Sequence, residues 1–364
     1  MVEYSLLDVP AVESPDDPQW GWVFAAMARL DEAVSNARFG NSDLVEPAQM
    51  RFAQFNNQQD DGKVLKLAIP GSGPDLRMAV GYAWADLPLS SNTGKAEFEV
   101  VVHPEWTEIN VGHRLLVSME EHLARLGRKE LILFTGFGPA DDQEPYETSP
   151  QGGQQPTSIW NAKLALSHGY ELSLVEKMSV LDLPMDTAAY KAMMTDAVVR
   201  SAGYRVHSWT GDIPGEWAEK YARLRGKFGV LAPSGMLSWD EDVWDEARVQ
   251  RHDQAIRDMG RVSFLSIAEE IVSGDLVGFT EISVPLAVPS PVGFQDITMV
   301  LPTHQGHRLG RLLKLFNLSR LQMERSDVKR IYTWNAAENA HMLGINIAMG
   351  FRPFGGSGNW VKRK

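Results

Sequence analysis

The chain repeats itself, and that repetition constrains its fold more than any other feature. Val102-His-Pro-Glu-Trp-Thr-Glu-Ile-Asn-Val-Gly112-His-Arg-Leu115 and Val300-Leu-Pro-Thr-His-Gln-Gly-His-Arg-Leu-Gly310-Arg-Leu-Leu313 share Val, Pro, Gly and Leu at a constant offset of 198 positions. Each passage leaves a β-like run, 96–102 or 294–300, and enters an amphipathic stretch. The first stretch carries Leu115, Leu116, Met119 and Leu123; the second carries Leu309, Leu312, Leu313 and Phe316. Apolar residues three and four apart predict helices with one face in a core. Upstream, Val80-Gly81-Tyr82 corresponds to Val277-Gly278-Phe279 inside β-rich runs; downstream, 130–134 and 330–334 are strand candidates. Gly169-Tyr170 and Gly350-Phe351 close the two series. The order strand, Gly-bearing turn, helix, strand, helix, Gly-aromatic, strand therefore occurs twice, although residue identity between the halves is low.

A length of 364 residues accommodates two such units. The first is expected over 1–184, a connecting helix rich in Ala and Met over 185–202, and the second unit over 203–364. Residues 214–260 have helical spacing and are expected to cover one face of the second sheet. Residues 138–157, rich in Pro, Gly, Gln and acidic side chains without periodicity, read as a long flexible loop. No apolar run approaches the ~20 residues of a membrane-spanning helix, and the acidic N-terminus lacks a signal pattern. With no cysteine there is no disulfide, thiolate metal site or cysteine nucleophile. A soluble cytoplasmic protein is the expectation, as monomer or homodimer. The formal net charge of −12 disfavours nucleic acid and anionic membranes as partners and suits a cationic or amine-bearing one.

The turn after Val300 carries the chemistry. Where a strand ends, Gly306 and Gly310 permit tight geometry, and a helix begins. The first amides of that helix lack intrahelical partners and the helix dipole adds positive charge, which makes an anion site suited to a pyrophosphate. His307, Arg308 and Arg311 are further donors. Many helices begin after glycine and bind nothing. The P-loop and dinucleotide fingerprints are both absent, so any phosphate belongs to another class of ligand.

Gln305-Gly-His-Arg-Leu-Gly310 resembles motif A of the GNAT acetyltransferases, Q/R-x-x-G-x-G/A. Thr333-Trp-Asn-Ala-Ala-Glu-Asn339 and Asn346-Ile-Ala-Met-Gly350-Phe351-Arg-Pro353 extend the likeness to tandem GNAT proteins of the actinobacterial type, a group that includes mycothiol synthase. The resemblance covers nearly all of 203–364 and, loosely, 1–184. It implies an α/β (α+β) chain of two tandem GNAT folds, each a mixed, mostly antiparallel twisted sheet flanked by helices. It also implies acetyl-coenzyme A as co-substrate, no metal, and acetyl transfer to a primary amine of a small metabolite. A non-catalytic acyl-coenzyme A binding or sensing protein is the alternative.

By the same resemblance, Thr298, Met299 and Val300 on the strand, and Gln305, Gly306, His307, Arg308, Leu309, Gly310 and Arg311 on the turn, hold the coenzyme. A backbone amide near Val300 polarises the acetyl carbonyl, and Asn339 contacts the pantetheine arm. Departures mark both halves. Arg308 replaces the first glycine of motif A, and the corresponding hexad of the first half, 107–112, has Thr107, Glu108 and Asn110. Glu108 places an anion beside the phosphate position, so the first unit reads as degenerate. Glu281 and Asp296 are the candidate bases. The tyrosine that GNAT proteins often use to protonate the thiolate is replaced by Asn346, which joins the coenzyme-binding set. Asparagine donates a hydrogen bond but no proton, which leaves Tyr332, or water, as the acid.

Overall fold

The computed structural model describes residues 4–71, 78–107 and 110–364. It divides into two compact units. The first comprises residues up to Glu176 together with Ser234–Trp239 and Gly355–Lys364, and the second comprises Lys177–Pro233 and Asp240–Phe354.

In the first unit, β1 (Tyr4–Asp8), β2 (Asp61–Pro70), β3 (Gly81–Pro88) and β4 (Lys95–Val102) form an antiparallel series, and β4 pairs in parallel with β5 (Glu130–Phe137). The parallel step is possible because α3 (Val111–Arg125) carries the chain back across the sheet. Leu115, Leu116, Met119 and Leu123 are buried on its inner face, as their spacing requires. Helices α1 (Trp22–Phe39) and α2 (Ala48–Asn56) build a second layer, with Phe24, Met27 and Phe55 packed on Leu65, Leu67, Tyr82 and Trp84.

Residues 138–157 contain more order than their composition suggests. They form a hairpin of β6 (Tyr146–Thr148) and β7 (Gln154–Pro156). Its anchor is the buried Gln155, which donates to the Thr135 hydroxyl at 2.6 Å. Helix α4 (Trp160–Ser167) and β8 (Glu171–Asp182) follow.

The second unit repeats the plan. Strands β9 (Tyr204–Thr210), β10 (Arg261–Glu270), β11 (Leu276–Pro285) and β12 (Val292–Val300) are antiparallel, and β12 pairs in parallel with β13 (Arg330–Ala336) after the crossover helix α9 (Leu309–Glu324). Gly81 faces Val102 and Gly278 faces Val300, so the sequence echo has the same register in both sheets. One face is covered by α9, by α10 (Ala340–Met349) and by α5 (Thr187–Arg200). The last of these was expected as a connector, but Tyr190, Met193 and Met194 pack it into the second core. The other face lies under α6 (Gly215–Gly226) and α8 (Glu246–Asp258), as expected, with a short α7 (Phe228–Leu231) between them. The periodicity fails over 232–245, where residues 234–239 join the first unit.

The apolar stripe of α9 needs a correction. Phe316 is 36% exposed, whereas Lys314, two residues earlier, is 1% exposed. The lysine stem lies in the core and its ammonium is satisfied inside it.

The boundaries of the units differ from 184 and 203 in another respect. The last strand, β14 (Arg352–Arg363), pairs antiparallel with β5 over Gly356–Arg363 and so completes the first unit's sheet. Gly356 is a close approach: a Cβ there would stand 2.5 Å from the Glu176 carbonyl oxygen and 2.5 Å from Phe137 Cζ. Backbone cannot retreat as a flexible side chain can. Gly356→Ala is therefore expected to cost ~1–3 kcal/mol, read as a lower urea midpoint with an unchanged slope.

Candidate active site

The strands β12 and β13 pair only from Val292 with Arg330 to Gln295 with Thr333. Beyond that point β12 runs on for five residues, 296–300, without β13 as a partner, and the two strands diverge. The divergence begins where the β11–β12 register shifts, between Glu281–Ile297 and Ile282–Gln295, which leaves Asp296 as the extra residue of a β-bulge. A bulge bends its strand and re-aims its side chains. The β3–β4 register of the first unit runs from Gly81–Val102 to Asp86–Glu97 without a shift.

The divergence exposes backbone groups. The Leu301 amide donates to the Val277 carbonyl at 2.8 Å, so Leu301 and Val277 form a hydrogen-bonded pair. Antiparallel pairs alternate, so Val300 and Thr298, opposite Gly278 and Thr280, direct their amides away from β11. They point to the side from which β13 has departed.

At the end of the gap stands the motif A turn. Gln305 is extended, Gly306 has φ +84°, and Arg308 occupies the left-handed region at φ +61°. No side chain caps α9, and its first backbone bond runs from Leu312 N–H to the Arg308 carbonyl. The amides of Leu309, Gly310 and Arg311 thus lie outside the helical ladder. A positive φ at Arg308 is tolerable to an arginine at modest cost. The Ser201 hydroxyl anchors the turn by donating to the His307 carbonyl at 2.6 Å. Asp196 holds both cations of the turn, with Oδ2 3.4 Å from Arg308 Nε and 3.5 Å from Arg311 Nη1. The buried Arg311 Nε has no protein partner. His304 faces Tyr204, Nδ1 to hydroxyl 3.1 Å, and the His307 ring lies against the same tyrosine.

On the α6–α8 face the two acids meet different environments. Glu281 is 5% exposed. It accepts from the Ser263 hydroxyl, and His252 Nε2 lies 3.8 Å from its Oε1. Burial pushes its carboxyl up, but His252, Ser263 and the Arg225 guanidinium outweigh that and hold it at about 2. Asp296 is solvent-accessible at the bulge. Crowding by neighbouring protein atoms and the Glu281 carboxylate push it above the usual carboxylate range, against Ser283 and Arg261. Two carboxyls with their proton affinities driven apart are the usual mark of separate acid–base roles. In the first unit the position of Glu281, three residues beyond the register glycine, is occupied by Trp84.

The remaining candidates fall as follows. Thr298 joins its hydroxyl to that of Thr280 at 2.7 Å, and Met299 is buried in the α6–α8 core. Gln305 donates to the Val300 carbonyl at 3.3 Å. Tyr332 is buried on the paired part of β13, its ring between Phe294 and Phe354 at centroid distances of 6.3 and 5.4 Å. Asn339 caps α10, accepting from the Met342 amide at 3.1 Å. Asn346 is buried, and Lys314 Nζ donates to its Oδ1 at 2.7 Å. Burial pulls the Lys314 ammonium down to about 7. Ser263, His252, Arg225 and Lys314 were not anticipated. Only Lys314 had a local signal, a lysine inside an apolar helical stripe.

The first unit's counterpart turn is partly outside the described residues, including Glu108. Gly112 at the start of α3 is covered: a Cβ there would stand 2.9 Å from Trp160 Cζ3.

Two units, each with an antiparallel strand series, a crossover helix and a parallel step, define a tandem GNAT fold, as expected. Among solved structures, the chain is similar to a tandem GNAT protein from the clavulanic acid biosynthesis pathway, determined without acetyl-coenzyme A. The TM-score is 0.71 at 20% identity, over 99% of this chain and 98% of that one. It is also similar to a GCN5-related N-acetyltransferase from Sphaerobacter thermophilus, with a TM-score of 0.60 at 16% identity, over 98% and 95% of the two chains. No protein-family model and no curated protein matches the sequence.

Proposed function

We propose that this protein is an acyl-coenzyme A-dependent N-acyltransferase that moves an acetyl group from acetyl-coenzyme A to a primary amine of a small metabolite, in its second unit. One observation carries the reading. The diverged, bulged β12 and the uncapped α9 stand side by side, whereas the matching β3–β4 ladder of the first unit is unshifted and Trp160 covers its helix start at Gly112. The free amides of 309–311 suit the pyrophosphate, with Gly306 keeping the approach clear, since a Cβ there would meet nothing within 4 Å.

The chemistry follows from the side chains in place. The uncharged amine attacks the acetyl carbonyl carbon and an N–C bond forms. Negative charge developing on the carbonyl oxygen is met by the backbone N–H groups of Thr298 and Val300. The amine proton passes to Asp296, whose raised proton affinity suits a general base. Glu281 stays ionised and keeps that affinity high. Collapse then breaks the C–S bond, and the electron pair leaves with sulfur.

Two measurements test this on the full chain. Acetyl-coenzyme A at 100 times its Kd is expected to stabilise the fold by about 2.7 kcal/mol, seen as a raised Tm. Coenzyme A thiol is expected to be released with a panel of primary amines. Absence of both effects would overturn the proposal.

A further inference from the structure

The thiolate must be stabilised as it leaves, and the residue at the customary tyrosine position is Asn346. Its surroundings are unusual. Lys314 Nζ, 1% exposed, donates to Asn346 Oδ1 at 2.7 Å, and Asn346 Nδ2 donates to Asn335 Oδ1 at 2.6 Å. Lys314 Nζ donates to the oxygen of Asn346, so the Asn346 NH2 faces Asn335. Asn335 then presents its oxygen inward and keeps its own NH2 as the outer donor. Asn335 is half-buried and lies past Thr333, the last β13 residue paired with β12. The row of donors therefore starts at the buried Lys314 nitrogen and ends at Asn335, beyond the paired part of β13. Phe351 lies 5.3 Å from the ammonium and closes its other side.

We infer that Lys314, Asn346 and Asn335 form a hydrogen-bonded relay whose last N–H, on Asn335, binds the sulfur of coenzyme A as it becomes a thiolate. This rests on the acyltransferase reading above. Hydrogen bonds in series polarise one another, so a donor at the end of such a row is stronger toward an anion than a lone amide. No proton crosses the relay. The C–S bond breaks, its electron pair stays on sulfur, the thiolate is held by the N–H, and solvent protonates it after release. Asn335 touches the leaving group; Lys314 and Asn346 are positioning residues that act through it.

The test needs no acceptor amine. Coenzyme A and desulfo-coenzyme A, which lacks the thiol, are titrated by calorimetry at pH 8 into the full-length wild type, Lys314→Met and Asn335→Ala. A free thiol is partly ionised at that pH. The wild type is expected to bind coenzyme A about tenfold or more tightly than the desulfo compound, because a hydrogen bond to an anion is worth that much. Both variants are expected to lose the preference and to bind desulfo-coenzyme A as the wild type does. Asn335→Ala tests the relay at its half-buried end, so the result does not depend on tolerance of a change inside the core. Equal wild-type affinity for the two ligands would overturn the relay and leave the coenzyme site standing, as would a preference that survives in both variants. If neither ligand binds the wild type, the coenzyme reading falls and takes the relay with it.

Discussion

Gly310→Glu is expected to abolish coenzyme A binding while the protein remains folded. Gly310 is buried at the start of α9, where three amides lie outside the helical ladder. A Cβ there meets only Ile345 Cδ1 at 3.4 Å and Val300 Cγ2 at 4.0 Å. The first carbon of a side chain is therefore tolerable. The carboxylate at its end is attracted to the helix start. It would occupy the space of a phosphate and satisfy the same donors. Losing about two charge-assisted hydrogen bonds lowers affinity by roughly 10²–10⁴-fold. Gly310→Ala controls for size and should change affinity by less than about tenfold, since one methyl meets only ordinary contacts. Calorimetry on both variants reads the difference. Unchanged affinity in Gly310→Glu would mean that the α9 amides are not the phosphate site.

Asp296→Asn is expected to lower kcat by about 10²–10⁴-fold, the usual contribution of a general base, with coenzyme affinity unchanged. The pH dependence makes the test sharper. A base works deprotonated, so with a weakly basic amine that is uncharged throughout the range, wild-type kcat/KM should rise with pH and level off once Asp296 has lost its proton, above the usual carboxylate range. Part of that upward displacement comes from the Glu281 carboxylate. Glu281→Gln removes the neighbouring negative charge, so the rising limb should move to lower pH. Its direction has one sign only, because no change that removes an anion can hold a proton more tightly on Asp296. A limb that stays in place would show that Glu281 does not tune the base. Loss of the limb in Asp296→Asn would tie it to that carboxyl.

The parts of this site that were legible in sequence are those written within one turn of chain. Gly306 and Gly310 mark a strand-to-helix change because the hydrophobic period shifts there, and the register glycines 81 and 278 mark the same place in both sheets. The bulge at Asp296 was not legible. It is a mismatch between two strands, and neither strand's sequence alone records which of its residues is left over. The surroundings of Glu281 are equally distributed, since Ser263, His252 and Arg225 reach it from β10, α8 and α6. Lys314 falls between these cases. Its place on an apolar stripe was visible, but periodicity assigned the inward position to Phe316, because a lysine is expected outside unless a partner awaits it. That partner is Asn346, thirty-two positions later.

The pairing of β14 with β5 means that the order of the chain and the order of the sheets disagree. Cutting the polypeptide after Phe354 would leave nearly all of the active-site half intact and strip a strand from the other half, exposing the edge of β5 from Glu130 to Phe137. Such an edge is a template for self-association. A substitution in this last strand thus acts on the earlier-synthesised body, and neither half can be exchanged between relatives as a contiguous cassette.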